Sequence, residues 1–267
     1  MPDRPVPPSL SVVIPARNEE ALLGSTLNSV IRARAAFDSS DEARSAVEIL
    51  VVDNASSDRT AEILRRYAVS AGVRSVCCDP RGAAHARNLG ARLARGGILI
   101  FLDADTHLPP GAIRRIAALC GEEGFEAGIT GLGALDGGRL ARGWWAFWNT
   151  VRRLPIARAK AMPACMFCTR KAFDEFGPFD ERVAIGEEWP ILAGLYRARP
   201  DRLIYDRTTV ALSSSRRMEL QRYGYLRTFA KYVWAILSFQ GRVHYHDRIR
   251  HPSTPDALSV PSPVEPS

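Results

Sequence analysis

Apolar and polar positions alternate in short blocks along the first half of the chain. Ser11-Val-Val-Ile14 is a β-branched run that stops at Pro15. Leu23, Leu27, Val30 and Ile31 follow at helical spacing, with Asn18 offering the cap. Residues 38–46 are polar and predict a loop. Val47 to Val52 is a second buried strand, ending at Asp53, and Ser56 or Ser57 can cap a helix carrying Ile63, Leu64 and Tyr67. Val73 to Cys78 predicts a third strand and Ala83 to Arg95 a helix with a basic face. Ile98 to Leu102 is a fourth strand running straight into Asp103. Pro109 and Pro110 open a helix over Ala112 to Cys120, since proline is well placed in a first turn.

The second half is less regular. Phe125 to Leu135 predicts a strand interrupted by glycines, and Gly143 to Val151 carries Trp144, Trp145, Phe147 and Trp148. Ala164 to Thr169 is strand-like, Trp189 to Arg199 is helical with Pro190 in its first turn, and Leu203 to Leu212 holds one or two short strands. Arg217 to Phe239 reads as one helix with Leu220, Tyr223, Leu226, Phe229 and Val233 on one side. From His251 onward the chain is rich in proline and serine, a composition that predicts disorder.

Strands alternating with helices, and strands apolar along their whole length, imply an α/β fold: a mostly parallel sheet covered on both faces. Ligands of such sheets bind beyond the carboxyl ends of the strands. Those ends are Pro15-Ala-Arg-Asn-Glu19, Asp53-Asn54 and Asp103-Ala-Asp105, all polar or carboxylate-bearing.

Composition bounds this picture without changing it. The 267 residues are 46% hydrophobic and 24% charged, which excludes a disordered chain, a collagen-like repeat and a disulfide scaffold. The five cysteines are odd in number and irregular in spacing. Cys165-Met-Phe-Cys168 lacks a second pair for zinc and reads as buried strand. Residues 1–8 have no apolar core of a signal peptide, and no apolar run reaches the roughly 20 residues of a spanning helix. A cytoplasmic protein is expected, at most touching the inner face of the membrane. The net charge of +7 comes from 36 basic residues, of which only Lys160, Lys171 and Lys231 are lysine. Arginine suits bidentate contacts to phosphate. The basic residues are dispersed, so a nucleic-acid partner is not expected.

The chemistry concentrates at the strand ends. Asp103 and Asp105 are two apart on an extended segment and point to one side. Two such carboxylates need a compensating cation, and hard oxygen donors suit Mg²⁺ or Mn²⁺ holding a diphosphate. Asp53 is placed to accept hydrogen bonds from a base or ribose, since Ser56, Ser57 and Asp58 already serve the turn and cap. Arg17 and Glu19 border the same pocket. Arg87 follows Arg81-Gly82 on a helix, where phosphate contact and a solvated helix face are equally good readings.

Together, S-V-V-I-P-A-R-N-E-E at 11–20, V-V-D-N-A-S-S-D-R-T at 51–60, R-G-A-A-H-A-R-N-L-G at 81–90 and L-D-A-D at 102–105 resemble the inverting GT-A glycosyltransferases of family 2, over roughly residues 10–200. The resemblance implies a GT-A catalytic domain over 1–212, its nucleotide-sugar half about 10–120 and its acceptor half about 121–212. A basic helical segment over 213–250 and a disordered tail over 251–267 would follow. It also implies a nucleoside-diphosphate sugar donor, UDP-type favoured, held by Pro15, Ala16, Arg17, Glu19, Asp53, Arg87, Asp103, Ala104 and Asp105. In this scheme Asp105 coordinates the cation, and Asp103 meets the ribose or the metal-bound diphosphate. The family's downstream acidic pair, usually Glu-Asp with the second member as general base, is Glu187-Glu188 here. By that resemblance Glu188 is the base; the longer side chain shifts the carboxylate, which keeps Glu187 as the alternative, and a capping role for the next helix stands beside both.

The resemblance implies an acceptor hydroxyl on a sugar, a lipid-linked or a small-molecule substrate. Trp144, Trp145 and Trp148 lie where acceptor contacts are expected, or form a buried cluster. Arg216 and Arg217 would close over the diphosphate or face lipid headgroups. With Arg222, Arg227 and Lys231, the last helix suits peripheral contact with a membrane surface, or a solvated face packed on the catalytic domain. A nucleotidyltransferase is the rival enzyme, but Pro15-Ala-Arg-Asn lacks the glycines of a phosphate loop. A non-catalytic nucleotide-sugar or glycan-binding module on a degenerate GT-A fold is the other alternative.

Overall fold

The structure, a computed structural model, describes residues 10–38, 47–79, 81–154, 163–183 and 185–238. The tail expected over 251–267 and most of the loop over 38–46 lie outside the described residues. Strands β1 (Leu10–Ala16), β2 (Val47–Asp53), β3 (Arg74–Cys77) and β4 (Ile98–Leu102) form the parallel half of one sheet. Helices α1 (Leu23–Asp38), α2 (Thr60–Ala71) and α3 (Ala83–Leu93) connect them. The strip β5 (Thr106–His107) and helix α4 (Ala112–Gly121) follow, then β6 (Ala127–Ala134), α5 (Arg139–Val151), β7 (Cys165–Thr169), α6 (Arg170–Phe176), α7 (Trp189–Ala198) and β8 (Leu203–Ser213). The sheet order is β3-β2-β1-β4-β7-β6-β8-β5, with β7 antiparallel to both neighbours.

Alternation along the central strands divides the core. Val12, Ile14, Ile49, Val51, Ile100 and Leu102 pack on one face, with residues of α1 and α4. Val13, Leu50, Leu99 and Phe101 pack on the other, with residues of α3, α6 and α7. Successive side chains of a strand point to opposite faces, so a strand with helices on both sides must be apolar throughout. Each buried Leu, Ile, Val or Phe contributes roughly 1.5–3 kcal/mol relative to exposure. Close approach of α3 to the sheet depends on Gly90, where a Cβ would overlap Val13 and crowd Val52.

Cys165 and Cys168 fall on opposite faces of β7, each buried in a different core. Burial pushes the Cys165 thiol up to about 12 and raises that of Cys168 as well. The C-x-x-C spacing is therefore strand packing.

Several local expectations change. Leu203 to Ser213 is one strand, paired with β6 across a register shift at Thr130/Gly131. The single helix expected over 217–239 is two: α8 (Arg216–Glu219) and α9 (Gly224–Ser238). Between them Tyr223 turns left-handed at φ 59°, and Gly224 sits so close to the Met218 carbonyl that no side chain fits. Asn18 does not cap α1. It turns left-handed at φ 53°, takes the Ser57 N–H on its Oδ1 at 2.8 Å, and donates its own N–H to Ser56 Oγ at 3.0 Å. Its short polar side chain tolerates that backbone. The Glu19 N–H donates to Thr60 Oγ1 at 3.0 Å, so the loops after β1 and β2 are laced together.

Candidate active site

The carboxyl ends of β1, β2 and β4 open into one cavity of about 760 Å³. Pro15, Ala16, Arg17 and Glu19 line it from the loop after β1, and Asp103, Ala104 and Asp105 from the end of β4. Arg87 enters from α3, and Glu187 and Glu188 from the loop before α7. Trp145 comes from α5, Arg216 and Arg217 from α8, and Thr228 and Tyr232 from α9. Nearly all residues singled out in the sequence converge here.

Three do not line the cavity. Asp53 is 3% exposed, and its Oδ1 accepts the Ser56 N–H at 3.1 Å, so the carboxylate shapes its own turn. Its neighbour Asn54 reaches the cavity instead: its N–H donates to the Ala16 carbonyl at 2.8 Å and its Oδ1 accepts from the Gly82 N–H at 2.7 Å. Trp144 and Trp148 turn toward α9. Trp144 packs edge-on to Tyr225 and Trp148 to Tyr232, with ring centroids 5.5 and 5.3 Å apart.

Charge pairing organises the rest. Arg87 Nη2 donates to Asp103 Oδ1 and Nη1 to Glu187 Oε1, each at 2.6 Å. Burial opposes its charge, but Asp103 and Glu187 outweigh that and hold the guanidinium firmly protonated. The next residue, Asn88, is buried. Its amide donates to the Phe179 carbonyl at 3.0 Å and to Glu181 Oε1 at 2.8 Å, and its Oδ1 accepts the Phe179 N–H at 2.8 Å. Adjacent Arg and Asn on α3 thus fasten both ends of the segment 179–187. Glu188, 4% exposed, holds the N-cap position of α7 without a side-chain capping hydrogen bond.

Glu19 is almost fully buried and accepts from both Arg216, at 2.8 Å, and Arg217. The two arginines are thereby drawn to the cavity wall facing the Asp103–Asp105 turn. Burial first, and then the Asp103 charge, push the Asp105 carboxyl up to about 7, against the pull of Arg217. A carboxylate so placed favours a cation beside it. Among the described residues no three His, Cys, Asp or Glu side chains converge as a self-sufficient metal site.

The sequence matches the model of Glycosyl transferase family 2 over residues 11–175. The chain belongs to that family. Family 2 membership agrees with curated relatives. Glycosyltransferase AglE of Haloferax volcanii is 26% identical over 254 residues, covering 87% of this chain and 81% of that protein. An undecaprenyl-phosphate 4-deoxy-4-formamido-L-arabinose transferase of Pseudomonas paraeruginosa is 34% identical over 160 residues, covering 58% of this chain and 44% of its own length. Some other curated glycosyltransferases are spanned over only 25% of their length. Among solved structures, the mannosyltransferase PcManGT of Pyrobaculum calidifontis, in complex with GDP-Man and Mn²⁺, superposes with a TM-score of 0.62. That match has 21% identity and covers 88% of this chain and 64% of that one. The chain is a family 2 glycosyltransferase with a mixed, mostly parallel GT-A sheet flanked by helices.

Asn54 lies at a strand end already marked as polar, whereas Met166, Phe179, Thr228 and Tyr232 carried no sequence signal as cavity residues. Tyr232 sits mid-helix in an apolar pattern, and burial pushes its hydroxyl up to about 12. Periodicity alone reads such a residue as core.

Proposed function

We infer that this enzyme transfers a sugar from a nucleoside diphosphate to an acceptor hydroxyl with inversion and with the help of a divalent cation. The observation that carries this reading is the meeting of Asp103, Asp105, Glu188, Arg216 and Arg217 on one cavity. It brings together a carboxylate pair, a candidate base and phosphate-binding donors.

Asp105 and Asp103 would hold the cation, Mg²⁺ or Mn²⁺, as hard oxygen donors. A pair of carboxylates on the wall of a cavity that also carries Arg216 and Arg217 fits such a cation, which would supply positive charge to a diphosphate. When bound, the cation neutralises charge on the departing diphosphate. Arg216 and Arg217 each spend part of their donor fork on Glu19, and their remaining N–H groups are available to phosphate oxygens. Glu188 takes the proton from the acceptor hydroxyl as that oxygen attacks the anomeric carbon. The bond from that carbon to the diphosphate oxygen breaks on the opposite face, and the configuration inverts. We assign the base to Glu188 as the second member of the acidic pair and a residue of the cavity wall, and a positioning contact with Arg87 to Glu187. In this reading Arg17 and Asn54 border the nucleotide, Asp53 supports it through its turn, and Trp145 meets the acceptor.

The relatives' names support donors of the nucleotide-sugar kind and acceptors that include lipid phosphates. A thermal-shift panel of UDP-sugars and GDP-mannose with Mn²⁺ tests the reading, followed by product analysis of anomeric configuration. One donor is expected to raise the melting temperature and yield an inverted product. A retained configuration, or no shift with any donor, would overturn it.

A further inference from the structure

Helix α9 has two faces of opposite use. Tyr225, Phe229 and Tyr232 pack on the tryptophans of α5, and Thr228 and Tyr232 border the cavity. On the opposite side, residues four apart form a row: Leu226 is 65% exposed and Trp234 is 71% exposed, with Ala230 between them. Tyr223, 64% exposed, and Leu220, at 79%, continue the row into the turn before the helix. Arg222, Arg227 and Lys231 are exposed beside the row, and no Asp or Glu occurs between Leu220 and Ser238.

We propose that this face of α8–α9 docks the enzyme on an anionic lipid membrane. The reasons are chemical. A large exposed tryptophan and two leucines with adjacent cations, and Glu219 at the end of α8 as the one acid beside the row, match an interface where rings and alkyl chains enter the headgroup layer while basic groups meet lipid phosphates. A second copy of the chain fits poorly: two such faces across a two-fold axis would bring Arg222, Arg227 and Lys231 of one copy against those of the other, with only Glu219 at the edge to answer three cations. Because Thr228 and Tyr232 lie on the same helix as the row, docking would hold the cavity close to the headgroups. The proposal stands whichever donor and acceptor the cavity takes.

The test is co-sedimentation of the full chain with vesicles of phosphatidylcholine alone and with 30% phosphatidylglycerol, a composition chosen, roughly, to mimic an anionic leaflet. Binding is expected to the anionic vesicles and to be weaker by at least about tenfold on the neutral ones. Replacing Leu226 and Trp234 together by serine should lower partitioning roughly tenfold or more. Arg227→Gln and Lys231→Gln should each lower it about fivefold on anionic vesicles alone. Circular dichroism and melting temperature confirm that each variant is folded. Three results overturn the proposal. One is a wild-type chain that does not sediment with anionic vesicles. A second is a wild-type dimer in light scattering that Trp234→Ser makes monomeric. The third is Trp234 fluorescence, isolated by difference against Trp234→Phe, that is shielded from acrylamide in the vesicle-free chain, as a covering segment of residues 239–267 would require.

Discussion

Arg87 and Glu187 meet at 2.6 Å across a hundred residues of sequence, and the same guanidinium holds Asp103 at the same distance. One side chain therefore ties the end of β4 to the acidic segment before α7. Arginine's rigid fork is suited to two carboxylates at once, and lysine cannot reproduce it. Arg87→Lys should lower kcat/KM by about 10²-fold, or ~2.7 kcal/mol, through misplacement of the acidic segment. Arg87→Ala leaves two carboxylates unpaired. Asp103 is partly solvated, so the cost should be about 2–3 kcal/mol rather than the full penalty of a deeply buried pair. Urea denaturation measures it; an unchanged midpoint would mean the pair contributes little to folding.

The two glutamates should separate cleanly. Glu188→Gln is expected to lower kcat by roughly 10²–10⁴ while donor affinity in calorimetry stays within about twofold. Glu187→Gln weakens its contact with Arg87 without removing a base, and should cost about tenfold. The opposite order of effects would assign the base to Glu187.

Metal removal tests the Asp103–Asp105 pair. In chelator, the nucleoside diphosphate should bind at least about tenfold more weakly, and Asp105→Asn should mimic chelation even with Mn²⁺ in excess. Equal calorimetric affinity with and without chelator would exclude a metal role in donor binding.

The close approach of α3 to the sheet has a stability consequence. Gly90→Ala places a methyl group where the side chains of Val13 and Val52 already lie. Overpacking of this kind costs about 1–3 kcal/mol. A melting temperature within about 1 °C of wild type would show that the helix shifts freely.

Whereas β3, Arg74-Ser-Val-Cys77 at the margin of the sheet, is half exposed, β1, β2 and β4 were legible because each is an apolar run leading into a polar segment at the same sheet edge. That is how a parallel, doubly covered strand must read. The strand-end motifs led to the cavity for the same reason. Asp53 was harder, because a turn-forming and a ligand-binding carboxylate look alike in sequence; its Oδ1 serves the turn by accepting the Ser56 N–H. β5, two residues long, carries no period at all, and α6 was hidden in a short segment with Thr169 as its cap. The break between α8 and α9 lay in the joint geometry of Tyr223 and Gly224, which hydrophobic spacing does not report. Glu19 pointed to the cavity in the sequence, but its arginine partners stand nearly two hundred residues away.

That separation, 197 residues between Glu19 and Arg216, bears on how the enzyme comes into being. The loop after β1 leaves the ribosome early, yet its buried carboxylate has no cationic partner until α8 has been made and docked. Contacts of such range form late, because a long loop must close before they stabilise anything. The cavity wall that α8 supplies is therefore absent until synthesis has passed Arg216 and Arg217. A newborn chain can hold its central strands in order and still have no closed pocket for a sugar donor.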